Sequence, residues 1–205
     1  MNLTLRRFGK VVLFCLLSLW TFAPSYASKP GDRIDNFKLT DEAGKTHELY
    51  EFKNRHAVVL MTQGNGCPIV RLAVPALRRI RDQYVDRGVE FFLLNSNLQD
   101  TAAAVKTESQ EYEFGLPIWL DHTQKVGETL GVNRTAEVFV IDPKTWKLAY
   151  HGPIDDSLSY EKQHPARHQY LADALDAVLS GNAVPVTEVI SPGCLINFPN
   201  RRQTR

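Results

Sequence analysis

Ala57-Val-Val-Leu-Met-Thr-Gln-Gly-Asn-Gly-Cys67-Pro-Ile-Val-Arg-Leu-Ala-Val-Pro75 contains a strand, a polar turn and the opening of a helix. Ala57–Met61 is a continuous apolar run, the kind buried on both faces of a mostly parallel sheet. From Pro68 onward Val70, Ala73, Val74, Leu77, Ile80 and Tyr84 recur at helical spacing, and Gly88 is a stop signal. Pro75 falls inside that helix and is expected to kink it. Cys67 stands at the strand-to-helix turn, where unpaired backbone N–H groups and the positive helix end favour thiolate, the reactive form. The glycines, Gln63 and Asn65 before it read as a permissive polar loop; a buried structural cysteine is the alternative.

Working outward, Gly31–Phe52 reads as an extended segment with a hairpin turn at Glu42-Ala-Gly-Lys45. Val89-Glu-Phe-Phe-Leu-Leu94 is a second buried strand. Asp100 or Thr101 can cap a helix running to about Tyr112. Leu116–Leu120 is a short extended piece, and Thr123–Leu130 a short helix ending at Gly131. Glu137-Val-Phe-Val-Ile141 is a third strong strand, with Trp146–Tyr150 as its hairpin partner. A last helix is expected over about Arg167–Ser180, stopped by Gly181. Strands alternating with helices and closing on an antiparallel hairpin predict a three-layer α/β domain with a central mixed sheet.

Residues 1–27 read as a signal peptide: Arg6, Arg7 and Lys10 are basic, Val11–Phe22 is apolar, and Ser25-Tyr-Ala27 offers small residues for cleavage. The apolar run is short for a membrane span, which takes about 20 residues. Cleavage leaves a periplasmic or secreted chain with no stable membrane association; an uncleaved anchor is the other reading. The domain proper then covers residues 28–181, and residues 182–205 form a C-terminal extension. Without its leader the chain carries 21 basic and 23 acidic residues, a balance that argues against nucleic acid as a partner.

Two cysteines survive cleavage, Cys67 and Cys194. In an oxidising compartment they can form a structural disulfide closing a long loop.

The order of elements, with a cysteine after the first central strand, resembles the thioredoxin fold, and most closely the exported redoxins of the AhpC/TSA and TlpA/ResA-like group. Gly31–Lys45 is similar to the leading hairpin of that group, Cys67-Pro-Ile-Val70 to its Cys-x-x-Cys motif, and Leu130–Asp142 to the segment facing the active thiol. Gly193-Cys-Leu-Ile196 resembles a C-terminal Gly-Cys-x-Ile found in redoxins with a single active-loop cysteine, and Tyr150-His-Gly-Pro-Ile-Asp-Asp156 a signature of the same subgroup. The chain departs from the pattern at four points. Val70 replaces the second cysteine, Gly66 the usual tryptophan, and Ala136 the cis-proline, so the Thr135–Ala136 bond is expected to be trans. Leu60 and Gly64 fill the Pro and Thr positions of the peroxiredoxin motif.

The resemblance implies a thiol-dependent oxidoreductase that exchanges disulfides or reduces peroxide without a cofactor. Cys67 would be the nucleophile and Cys194 the resolving thiol. The partners would be an exported thiol or disulfide protein and a periplasmic reductant. Gly66, Pro68, Arg134, Thr135, Ala136 and Glu137 would line the substrate site, Thr135 and Ala136 through their backbone. Arg134 can hold Cys67 as thiolate by charge or serve as a surface ion-pair partner. Glu137 can accept a proton or simply begin a strand. No metal site is expected, and Cys194 can be resolving, structural or neither. A thioredoxin-fold binding module is the alternative, such as a copper carrier using Cys67 with His151, His164 or His168.

Overall fold

The computed structural model describes residues 27–159 and 164–199. The leader expected over residues 1–27 lies, apart from Ala27, outside the described residues. No helix among those described is long and apolar enough to cross a membrane.

Among the described residues seven strands form one mixed sheet: β1 (Lys38–Asp41), β2 (Thr46–Glu48), β3 (Ala57–Gln63), β4 (Val89–Asn95), β5 (Ile118–Leu120), β6 (Val138–Asp142) and β7 (Lys147–Gly152), in the order β2-β1-β5-β4-β3-β6-β7. β3, β4 and β5 run parallel, whereas β6 and β7 add antiparallel on one side and β1 and β2 on the other. Four α-helices among the described residues cover the faces: α1 (Pro68–Tyr84), α2 (Ala102–Glu111), α3 (Lys125–Leu130) and α4 (Tyr170–Ser180). This is the thioredoxin-like three-layer arrangement.

The period of β3 explains the layering. Ala57, Val59 and Met61 point to one face and meet Val70, Ala73, Val74 and Leu77 of α1 with Ala174 and Leu175 of α4. Val58 and Leu60 point to the other face and meet Phe92, Trp119, Phe139 and Leu130 of α3. Ile196 and Phe198 from the C-terminal extension join this second core, so the extension is packed onto the domain.

α1 begins at Pro68, where a missing N–H costs nothing, and runs through Pro75 to Tyr84. Thr101 caps α2 by accepting from the Ala104 N–H at 3.2 Å. α4 begins at Tyr170, later than the expected Arg167, because Asp156 Oδ1 takes the N–H groups of Arg167 (2.7 Å) and His168 (3.1 Å). That lead-in is an acidic turn rather than a first helical turn.

Candidate active site

β3 delivers the chain to the site and the N-terminus of α1 receives it. Gly64 has no room for a side chain: a Cβ there would lie 2.3 Å from Asn97 Nδ2. Gly66 takes φ +77°, the left-handed region that favours glycine. Cys67 follows at the N-cap of α1.

The loop is fixed by carboxylates that the sequence reading did not assign to the site. Asp100 Oδ2 accepts from Asn65 N–H (2.9 Å), Asn95 Nδ2 (2.8 Å) and Asn97 Nδ2 (3.1 Å). Asn95 also donates to Gln63 Oε1 at 2.7 Å, and Gln63 donates to Asn65 Oδ1 at 2.9 Å. The N–H of Gly66 donates to both oxygens of Glu108 (3.0 and 2.9 Å), and Arg71 Nε donates to Glu108 Oε1 at 2.9 Å. Far from a loose solvated turn, the loop is rigidly braced, and Cys67 itself is only 4% exposed. A carboxylate on the inward face of α2, one turn after Val105, was the available signal for Glu108.

Opposite Cys67, the end of β3 secures the segment before β6. Thr62 Oγ1 donates to Arg134 O (2.8 Å) and accepts from Glu137 N–H (2.8 Å), while Ala136 N–H donates to Thr62 O at 2.7 Å. Ala136 is buried at φ +56°, and no cis peptide bond occurs among the described residues. Thr135 enters the site through its side chain rather than its backbone alone: its Oγ1 lies 3.0 Å from Cys67 Sγ.

The extension completes the site by pairing antiparallel to this segment. Thr135 N–H donates to Cys194 O (2.8 Å) and Ile196 N–H to Asn133 O (2.9 Å), with Arg134 bridged to Leu195. Cys194 N–H donates to Thr135 Oγ1 at 2.9 Å. Arg134 Nη1 donates to Gly193 O at 3.0 Å, so its guanidinium holds the extension. Alternation along this strap turns Ile196 and Phe198 into the core and leaves Leu195 73% exposed. Gln124 Nε2 clamps its far end through Asn197 O at 2.7 Å.

Cys67 and Cys194 therefore meet across Thr135. Burial opposes ionisation of Cys67. Hydrogen bonding from the Cys194 side chain and the Thr135 hydroxyl, with the N–H groups of Val70 and Cys194 turned to the sulfur, outweighs it and holds the thiol below its ordinary range. Because Thr135 Oγ1 already accepts from Cys194 N–H, its own proton is available to a Cys67 thiolate.

The other expected site residues fall in different places. Gly66 and Pro68 are exposed at the rim. Glu137 is buried, accepts from Asn133 N–H at 2.9 Å and lies 3.5 Å from His151 Nε2. His151 Nδ1 faces Glu188 at 3.7 Å, and its ring stacks on Phe139. Among the described residues no group of three or more His, Cys, Asp or Glu side chains is placed to hold a metal ion.

The brace can be tested directly. Glu108→Gln keeps an acceptor for Gly66 but loses the ion pair with Arg71, whose side chain is one-third exposed and partly screened by water. Urea unfolding should show a loss of about 1 kcal/mol. An unchanged midpoint would mean the loop does not depend on this carboxylate.

The pattern of the AhpC/TSA family matches residues 30–151, well over half of the chain. Thiol-disulfide oxidoreductase ResA of Bacillus anthracis is 31% identical over 121 residues, covering 59% of this chain and 68% of that one. The ResA of Bacillus subtilis is 26% identical over 138 residues, 65% of this chain and 75% of that one. Among solved structures, an uncharacterized conserved protein from Geobacillus kaustophilus superposes with TM-score 0.75 at 29% identity, over 84% of this chain and 94% of its own. A hypothetical protein from Sinorhizobium meliloti 1021 gives 0.72 at 29%, over 87% and 97%. With a thioredoxin-like sheet, a cysteine at the N-cap of α1 and a family match spanning β1 to β7, the chain belongs to the AhpC/TSA family of thioredoxin-fold redoxins.

Proposed function

We propose that this protein is an exported thiol-disulfide oxidoreductase whose redox couple is Cys67 and Cys194. The observation that carries the reading is Thr135, which hydrogen-bonds Cys67 Sγ and the Cys194 backbone at once and so holds the two cysteines together. The likeness to proteins named thiol-disulfide oxidoreductase ResA supports the reaction class.

A thiolate on one cysteine, with the other in contact, suits two-electron exchange. Reduction of a substrate disulfide converts the two thiols to a Cys67–Cys194 disulfide and the substrate to two thiols. A thiol reductant then restores the pair, and the sulfurs themselves store the electrons. Val70 leaves no second cysteine in the active loop, and the docked extension supplies one from the far end of the chain. The basic and apolar leader supports export, which would make the substrate and reductant periplasmic or secreted proteins.

Mild oxidation of the purified mature chain should remove two hydrogens by intact mass, and a graded glutathione buffer should reverse it. A potential above about −300 mV is expected for such an exchanging couple. A bond resistant to reduction below that value would identify a structural staple and overturn the redox role.

A further inference from the structure

Resting on the reading of Cys67 and Cys194 as a couple, the geometry points to Cys194 as the sulfur that external partners attack, with Cys67 as the internal sulfur. This inverts the order that the position of Cys67 suggests from sequence. Cys67 is 4% exposed, packed in the core among α1 residues and covered by Thr135 and the extension. Cys194 is partly exposed, on a strap whose next residue is 73% exposed. An attacking thiolate must reach its sulfur from solvent, and Cys194 is the more open of the two residues.

Charge stabilisation selects the same polarity. In the reduced pair the Cys194 thiol, the Thr135 hydroxyl and the N–H groups of Val70 and Cys194 converge on Cys67 and lower its pKa; once Cys194 carries the partner, the hydroxyl and the two N–H groups remain to receive it. In disulfide exchange the sulfur with the lower thiol pKa leaves faster. Thr135 is therefore built to receive Cys67 as it departs.

The cycle balances with a thiol as reductant. RS⁻ attacks Cys194 Sγ of the disulfide; the S–S bond breaks, Cys67 leaves as thiolate, and Cys194–S–S–R forms. A second RS⁻ attacks the R sulfur, giving RSSR and Cys194 thiolate, which takes a proton. Two thiols have lost two electrons and the couple has gained them. Running in reverse, Cys194 attacks a substrate disulfide and Cys67 thiolate attacks Cys194 to release the second substrate thiol. Cys67 is then the resolving nucleophile, its thiolate form favoured by these donors and its sulfur already in place.

The test uses the full mature chain. Oxidised protein, its internal disulfide first verified by intact mass, is mixed with glutathione, acid-quenched at short times and mapped by peptide mass. Glutathione should sit on Cys194 in roughly tenfold excess over Cys67. With glutathione disulfide, Cys67→Ser should accumulate a long-lived Cys194 adduct, because its resolving sulfur is gone. Adducts mainly on Cys67 of the wild type would overturn the proposed polarity while leaving the couple intact. Failure of the wild type to form the internal disulfide, seen before glutathione is added, would overturn the couple itself.

Discussion

Gly193→Ala is expected to lift the C-terminal strap off the domain and slow Cys67–Cys194 disulfide formation by at least about 100-fold. A Cβ on Gly193 would stand 1.7 Å from Thr135 O and 2.5 Å from Thr135 C. Those are backbone atoms, pinned by the pairing of Thr135 with Cys194 and by the bonds from β3 to Arg134, Ala136 and Glu137. Nothing flexible can give way except the strap. Undocked, Cys194 becomes a thiol on a flexible tether, with an effective concentration in the millimolar range in place of a fixed contact.

The stability cost has a ceiling for the same reason, because the domain can shed the strap without unfolding. Burying Ile196 and Phe198 contributes about 1.5–3 kcal/mol each, opposed by the entropy of ordering the segment. Melting should therefore shift modestly while the rate of oxidation, followed by alkylation and intact mass, collapses. Oxidation at the wild-type rate would show that the strap does not need its close approach to Thr135.

The contrast between what the sequence disclosed and what it hid follows from the range of the interactions. β3 and α1 were legible because their periodicity is local: Ala57–Met61 has to be buried on both faces, and Val70 to Tyr84 has one apolar side. The hairpins around Glu42–Lys45 and Asp142–Thr145 were legible from turn chemistry. Cys194 came to notice through its resemblance to a Gly-Cys-x-Ile ending, but its contact with Cys67 joins opposite ends of the domain and leaves no local periodicity.

Burial of Cys67 stood only as the alternative reading for that reason. A loop of two glycines, Gln63 and Asn65 reads as solvated until Asp100, Glu108 and Asn95 are known to satisfy its polar groups from below. Thr135 was read as backbone because no sequence rule orients a hydroxyl. Its role emerges only when Thr62 fixes the chain on either side of it and the strap pairs with its N–H. Ala136, by contrast, announced a departure at the cis-proline position, and a buried left-handed alanine with a trans bond is what stands there.

Thr135→Val should separate the hydroxyl's chemistry from its bulk, since valine keeps the shape and loses the oxygen. Two hydrogen bonds disappear, to Cys67 Sγ and from Cys194 N–H. The Cys194 N–H keeps Cys67 Sγ as a partner but loses its better acceptor, a cost of about 1 kcal/mol felt mainly as weaker strap docking. The Cys67 thiolate loses a donor while the opposing burial remains, so its thiol titrates at higher pH, as read by thiolate absorbance. The linkage has a definite sign. With its folded pKa depressed, Cys67 stabilises the reduced fold fully above the ordinary thiol value of about 8.5, and that gain is lost as pH falls through the folded pKa. In Thr135→Val this window narrows from its lower edge. The reduction potential supplies a second reading: its slope against pH halves where the first thiol ionises, and that break should shift upward through the lost hydroxyl and through any loosening of the Cys194 donors on the strap. A break left at the wild-type pH would show that Thr135 positions Cys194 without supporting the charge on Cys67.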